Sequence, residues 1–80
     1  MKFVYLLQSL RYPNRRYIGI TTDVEKRLAS HNFGQSSHTA NFRPWKLVVA
    51  VQFENNGRAA EFEAYLKSGS GHAFARRHLW

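Results

Sequence analysis

The chain has 80 residues, of which 44% are hydrophobic and 15% aromatic, and it carries a formal net charge of +7. This length and apolar content suit a single domain, residues 1–80, with one compact core, and they exclude an intrinsically disordered chain. The chain has no cysteine, which excludes disulfides and thiolate metal sites, and its twelve Lys and Arg against five Asp and Glu predict a polyanionic partner.

The N-terminal apolar run, Phe3 to Leu7, ends at Gln8-Ser9 and is too short for a signal peptide or a membrane span. The shortness of this run and the lack of cysteine together predict a soluble, cytoplasmic protein. The basic residues are scattered among predicted strands and loops and do not line one face of a helix. Nucleic acid is therefore favoured over an anionic membrane surface as the partner.

Alternation of apolar and turn-forming residues predicts the first half of the fold. Residues 2–8 and 16–20 are rich in β-branched and aromatic residues, and the turn signal Pro13-Asn14 between them predicts a β-hairpin whose register the sequence does not fix. Asp23 is a helix-capping residue, and the run that follows, Val24–His31, predicts a helix that ends near Asn32 to Gly34.

The second half is predicted to add one strand and two helices. Residues 35–43 are polar and turn-like, 47–53 read as a strand, and 58–67 read as a helix. Ser68-Gly69-Ser70-Gly71 is expected to end that helix before a basic helical tail over 73–80. The order β-β-α-β-α-α predicts an α+β fold with a three-stranded sheet flanked by helices.

Polar residues interrupt the apolar stripe of the first predicted helix. Positions 24, 27, 28 and 31 share one face, and they hold Val24, Arg27, Leu28 and His31. Arg27 and His31 are therefore expected to border the core or a cleft. The structural alternative is that Arg27 lays its methylenes along the core edge and His31 caps the end of the helix.

The same three- and four-residue spacing in the second predicted helix singles out Glu63. This residue shares a stripe with Ala59, Phe62 and Leu66. Glu61 falls on the other side and reads as a surface acid. An inward carboxylate needs a cation or a metal to offset the cost of burying its charge. Glu63 is thus either a metal ligand or a member of an ion pair with Arg27 or a lysine.

Tyr5 and Tyr17 lie in the two hairpin strands, and Gly19, which has no side chain, leaves space for a substrate to approach the backbone. The four histidines lack the spacing of a zinc site.

These residues together resemble the GIY-YIG nuclease domain, in its small stand-alone bacterial type and as found in the nucleotide excision repair incision subunit. The resemblance rests on short motifs in a fixed order over nearly the whole chain: Val4-Tyr5-Leu6, Tyr17-Ile18-Gly19, Asp23, Arg27-Leu28, His31-Asn32, Arg43-Pro44-Trp45-Lys46-Leu47, Glu63, Leu66-Lys67-Ser68-Gly69 and Gly71. Two positions depart from the family pattern. Phe3 replaces a motif glycine, and Ala40 stands where many relatives carry a lysine that would contact phosphate.

The resemblance implies a metal-dependent endonuclease that hydrolyses DNA phosphodiester bonds in repair, recombination or processing. Glu63 is then the ligand of one divalent cation, Mg²⁺ or Mn²⁺, and Arg27 clamps the scissile phosphate. Tyr5 is the first candidate for the general base, oriented by Tyr17, with Arg27 and the metal expected to lower its pKa from about 10. His31 is the alternative base, and the sequence leaves the two assignments open.

Basic residues predicted to contact the DNA backbone are Lys46, Lys67, Arg76 and Arg77. RNA is not excluded as a substrate, and a protein partner or a homodimer is left open. The main alternative is a nucleic-acid-binding module that keeps the fold without cutting. A second alternative is a protein interaction domain that uses Trp45 and Trp80 as anchors.

Overall fold

The computed structural model describes residues 1–80. Its elements are, in chain order, β1 (Lys2–Ser9), β2 (Arg16–Thr21), α1 (Val24–Asn32), α2 (Ser37–Ala40), β3 (Trp45–Phe53), α3 (Asn56–Leu66) and α4 (Gly69–His78). The predicted α+β fold is confirmed, with one short helix, α2, added to the expected order. No helix combines the length and the apolar composition that crossing a bilayer requires.

The sheet has the order β2-β1-β3, and both pairings are antiparallel. In the register of the hairpin, Tyr5 lies opposite Gly19 and Leu7 lies opposite Tyr17. Because side chains alternate along a strand, these residues share one face, while Val4 and the other even-numbered residues of β1 share the opposite face. Helices cover both faces, which is why β1 is almost continuously buried.

Two apolar clusters correspond to the two faces. On one face, Val4 and Leu6 pack with Ala59 and Leu66 of α3 and Ala75 of α4. On the other face, three buried residues pack with partly buried residues of α1 and β2; the buried ones are Tyr5, Leu7 and Trp45.

Side-chain caps define the helix starts. Asp23 accepts a hydrogen bond from the backbone N–H of Lys26, as predicted. Ser68 likewise accepts from the N–H of Gly71, so α4 begins at Gly69. The prediction that the whole segment 68–71 lies outside the helices was therefore wrong, because Ser68 caps α4 and places both glycines in its first turn.

The polar segment 35–43 contains more order than predicted. It holds the single turn α2, whose Thr39 is buried, and it leads through a cis Arg43–Pro44 peptide into β3. The strand starts two residues earlier than predicted, because the Asn32 side chain accepts a hydrogen bond from the Trp45 N–H at 2.6 Å and donates one to the Trp45 carbonyl at 3.2 Å.

Candidate active site

A buried chain of hydrogen bonds links the sheet to α1 and α2. The Tyr5 hydroxyl oxygen lies 2.9 Å from Nε2 of His31, and Nδ1 of His31 lies 2.7 Å from Oγ1 of Thr39. Tyr5 and His31 are each only 2% exposed. His31 therefore does not cap the end of α1, as the structural alternative had it; it faces the sheet and contacts Tyr5.

We infer the proton positions in this chain from the acceptor that the Thr39 hydroxyl finds at Ser36. The Thr39 hydroxyl donates to the Ser36 carbonyl oxygen at 3.4 Å, so its lone pairs are available to accept the Nδ1–H of His31. Nε2 of His31 then carries no proton and accepts the hydrogen bond that the Tyr5 hydroxyl donates. This tautomer makes His31 a proton acceptor for the phenol.

Burial sets the pKa values of both groups. Desolvation, reinforced by the neighbouring Tyr17, raises the pKa of Tyr5 to about 12, and the opposing charge of Arg27 does not offset this rise. Arg27 thus lowers the Tyr5 pKa, as predicted, but burial and Tyr17 outweigh its effect. The further lowering expected from a metal stays a prediction. Desolvation and then the charge of Arg27 lower the pKa of His31, which keeps its imidazole neutral near pH 7.

Tyr17 and Gly19 complete the surroundings of Tyr5. The Tyr17 ring centroid lies 6.2 Å from that of Tyr5 and 4.9 Å from that of His31, so the three rings form one aromatic group. Gly19 is buried, and a Cβ atom at this position would overlap the Tyr5 hydroxyl. The space above Gly19 that we expected a substrate to use is filled by Tyr5, so Gly19 positions the phenol and is not open to nucleic acid.

Arg27 is exposed and forms no ion pair. It lines an open cleft together with Thr21, Asp23 and Lys26, as the cleft alternative for the helix stripe predicted. Its charge still influences the pKa of both Tyr5 and His31, which places an unpaired guanidinium beside the aromatic group. A free guanidinium in this position is available to bind phosphate oxygens.

Glu63 lies on the predicted stripe of α3, and its side chain is 23% exposed. Its ion-pair partner is Lys67, one turn further along the helix, with 3.3 Å between Nζ and the carboxylate oxygen. Arg27, the other partner considered, is not involved. Glu61 is an exposed surface acid paired with Arg58, as predicted.

The carboxylate of Glu63 suits a hard divalent cation such as Mg²⁺, which keeps most of its bound water molecules. No group of three or more His, Asp or Glu side chains converges on one point, so a metal held entirely by protein ligands has no site here. Mg²⁺ binds through one or two carboxylates plus substrate phosphate, and the partly exposed Glu63 carboxylate meets that requirement.

The structure brings together only two of the four predicted DNA contacts. Lys67 and Arg76 line the same cleft, next to Tyr17. Lys46 is exposed on β3, across β1 from Tyr17, and Arg77 is exposed outside that cleft.

Sequence reasoning missed Thr39 and the arginines of the hairpin turn. Thr39 lies in a segment read as irregular, and no periodicity marks it. Arg15 and Arg16 directly precede the motif residue Tyr17, and that adjacency was the one available signal. Trp45, offered as an interaction anchor, is buried and donates its Nε1–H to the Thr39 carbonyl at 2.9 Å, so it cannot serve as one.

The lowered pKa of His31 predicts a loss of stability in acid. In the unfolded chain an imidazole binds its proton near pH 6.5, whereas the folded state resists that proton. The unfolded state therefore binds more protons, and the free energy of unfolding should fall as pH drops below about 6.5, by at most about 1.4 kcal/mol per pH unit. Urea unfolding between pH 7.5 and 5 measures this slope.

The variant His31→Gln should show a shallower slope than the wild-type chain. The matched control His38→Gln, which removes an exposed imidazole, should keep the wild-type slope. Parallel slopes for the wild type and His31→Gln would show that burial of His31 does not oppose its protonation.

Comparison with known proteins adds an independent finding. The sequence profile described as the GIY-YIG catalytic domain matches residues 1–75. The chain is 39% identical over 83 residues to the structure-specific endonuclease subunit SLX1 of Candida dubliniensis, which covers 95% of the chain and 28% of that protein. It is 41% identical over 66 residues to a UPF0213 protein of Lactococcus lactis subsp. cremoris, covering 81% of the chain and 65% of that protein.

A further relative is the structure-specific endonuclease subunit SLX1 homolog of Drosophila persimilis, 41% identical over 69 residues, covering 75% of the chain and 24% of that protein. Each of these matches spans less than two thirds of the relative's own length.

Proposed function

Because this chain belongs to the family of GIY-YIG catalytic domains, we propose that it is a divalent-metal-dependent endonuclease that hydrolyses DNA phosphodiester bonds. The observation that carries the proposal is the buried hydrogen bond between the Tyr5 hydroxyl and Nε2 of His31. A domain that only binds DNA has no physical need for a phenol coupled to a buried proton acceptor. The net charge of +7 supports a polyanionic substrate.

The proposed reaction is attack of water on the scissile phosphorus. The Tyr5 oxygen accepts a proton from the water while its own proton passes to Nε2 of His31, so no free phenolate is needed. The water oxygen forms the new bond to phosphorus, and the bond from phosphorus to the 3′ oxygen breaks. The Arg27 guanidinium binds the non-bridging oxygens, where negative charge develops.

This relay resolves the choice between the two bases by using both groups in sequence. The raised pKa of Tyr5 makes it a poor base alone. Nε2 of His31 is bonded to the Tyr5 hydroxyl, so in the proposed relay His31 receives its proton through Tyr5. Thr39 holds the imidazole in the tautomer that the relay requires. Tyr17 packs against both rings and limits their movement.

Glu63 would hold the divalent cation. Such a cation, when bound, neutralises charge on the phosphate and on the departing oxygen. Lys67 pairs with this carboxylate in the structure. With a cation bound to Glu63, Lys67 would be free to contact a substrate phosphate. The exposed fraction of Glu63 leaves room for water and a phosphate oxygen as further ligands.

The relatives named structure-specific endonuclease subunits support a substrate defined by DNA structure, and a role in repair, recombination or processing. We propose accordingly that this chain recognises a branched or partly unpaired DNA.

The experiment that tests the proposal is cleavage of labelled single-stranded, duplex and branched DNA with Mg²⁺, Mn²⁺ or EDTA. We expect Glu63→Gln to lower the cleavage rate at least about 10²-fold, because the loss of its charge weakens the metal. The matched control Glu61→Gln, two residues away on the exposed face, should cut at the wild-type rate. Binding is measured in parallel by fluorescence anisotropy in EDTA.

Metal-dependent cutting that Glu63→Gln loses while binding persists would support the nuclease and the metal ligand together. Binding without cutting by the wild type on every substrate would instead favour the alternative, a non-catalytic nucleic-acid-binding module. Equal loss in both variants would show that the effect is one of net charge.

A further inference from the structure

A second feature of the surface is a basic cleft between the hairpin turn and α4. Its volume is about 630 Å³, and no Asp or Glu is among the residues that line it. Four of its lining residues have basic side chains: Arg15, Arg16, Lys67 and Arg76. Trp80 forms part of the same wall, so we call this feature the Trp80 cleft. The combination of cations with an aromatic ring is the composition of a groove that binds single strands.

The cleft joins the candidate active site directly. Tyr17 lines it and also contacts the His31 ring at a centroid distance of 4.9 Å. Lys67 lines it as well, and its ammonium group is paired with Glu63. A strand held next to Tyr17 and Lys67 can therefore extend into this cleft, whose lining carries no Asp or Glu.

The aromatic wall is held in place before any ligand binds. The Trp80 backbone N–H donates to the Ala75 carbonyl at 3.0 Å, and its ring packs against the core cluster that contains Leu66 and Ala75. The Arg16 guanidinium lies over the ring, 4.8 Å from its centroid. Arg16 is exposed, so its guanidinium can turn from the ring to a phosphate and leave this ring face to the adjacent base.

We propose that the Trp80 cleft binds one or two unpaired nucleotides of single-stranded DNA next to the cleaved phosphate. Arg16, Lys67 and Arg76 hold their phosphates, and Trp80 stacks on a base. The volume suits this length of strand, since it falls within the range of about 300–1,000 Å³ that encloses small ligands. This inference rests on the proposed nuclease function for the position of the cleaved bond, and it defines the substrate as DNA with a single-stranded segment at the site.

The test is binding of a labelled thymidine hexamer and of a 12-base-pair duplex, followed by anisotropy in EDTA so that no cutting occurs. Arg16→Ala and Arg76→Ala should each weaken hexamer binding about 3- to 10-fold. Each should also lower by about one the slope of the logarithm of the binding constant against the logarithm of the salt concentration. Arg58→Ala is the matched control, because it removes an exposed arginine outside the cleft, and it should change binding less than about 2-fold.

Trp80→Ala should weaken hexamer binding at least about 5-fold and duplex binding less than about 2-fold, and Trp80→Phe should restore most of the loss. Since Trp80→Ala removes a ring that packs on the core, the wild-type chain provides a second readout. The hexamer should quench tryptophan fluorescence saturably, and this quenching should vanish in Trp80→Phe, because the remaining Trp45 is buried.

Equal weakening by Arg58→Ala and Arg16→Ala, or an absence of quenching, would overturn the proposal. So would an equal effect of Trp80→Ala on hexamer and duplex. These binding results are independent of cutting: a wild-type chain that binds as described but cuts nothing contradicts the nuclease alone. A chain that cuts while the cleft variants bind normally contradicts the cleft alone.

Discussion

Replacement of Tyr5 by Phe is expected to lower the rate of DNA cleavage by about 10²- to 10⁴-fold, the contribution of a positioned proton-transfer group. The variant keeps the ring that fills the space above Gly19 and loses only the hydroxyl that contacts His31. The core should remain intact for the same reason. The matched control is Tyr65→Phe, which removes the hydroxyl of an exposed tyrosine on α3.

The pH dependence of cleavage identifies the proton acceptor. If Tyr5 passes its proton to His31, then kcat/KM requires a neutral imidazole, whose pKa is lowered from 6.5 by burial. The rate should rise with pH in the acid range, with an inflection below 6.5, and stay flat from about pH 7 to 9. Single-turnover cleavage over pH 5–9 at constant metal concentration measures this profile.

A mechanism that begins from ionised Tyr5 makes a different prediction. With the Tyr5 pKa at about 12, the ionised fraction would grow tenfold with each pH unit across the whole range. A rate that climbs in this way up to pH 9 would contradict the relay through His31. Retention of the wild-type rate by Tyr5→Phe would contradict any role for the phenol in proton transfer.

Gly71→Ala is expected to have the largest effect on stability, a loss of about 3 kcal/mol or more. A Cβ atom at Gly71 would overlap the carbonyl oxygen of Tyr65 and lie 2.6 Å from Cα of Leu66. Both are backbone atoms of the preceding helix, so neither can rotate away. The collision would push α4 off α3 and open the cluster that contains Leu66 and Ala75.

The control is two residues away in the same helical turn. At Gly69 a Cβ atom would meet no heavy atom within 4 Å, so Gly69→Ala should be neutral or stabilise by up to about 1 kcal/mol through its helix propensity. Urea unfolding of both variants gives the comparison. Similar stabilities for Gly71→Ala and the wild type would mean that α3 and α4 do not pack as closely as described.

Sequence patterns that span only a few residues were sufficient to predict most of the strands and helices. Asp23 and the helical run after it, Val24–His31, marked α1 correctly, since capping and periodicity act within a few residues. The stripe that singled out Glu63 was right for the same reason: Ala59 and Leu66 are buried beside it. The assignment of Glu63 as a metal ligand stays a prediction.

The features of the site that the sequence did not predict depend on contacts between residues far apart in the chain. Thr39 contacts His31 in the connection between α1 and β3, where the Asn32 side chain also binds the Trp45 backbone, and neither contact has a periodic signature. The Trp80 cleft joins residues more than fifty positions apart, Arg16 and Arg76 among them. Their juxtaposition depends on how α4 docks on the sheet, which the composition of each segment does not determine.

The candidate catalytic groups come from both sides of the sheet. Tyr5 faces α1, which supplies Arg27 and His31, whereas Glu63 comes from α3 on the opposite face. In a nascent or partly unfolded chain that lacks either helical layer, some of these groups would be separated from the rest. If the chain cuts DNA as proposed, such a chain would be inert until its last helix layer has docked, and cutting would be confined to fully folded molecules.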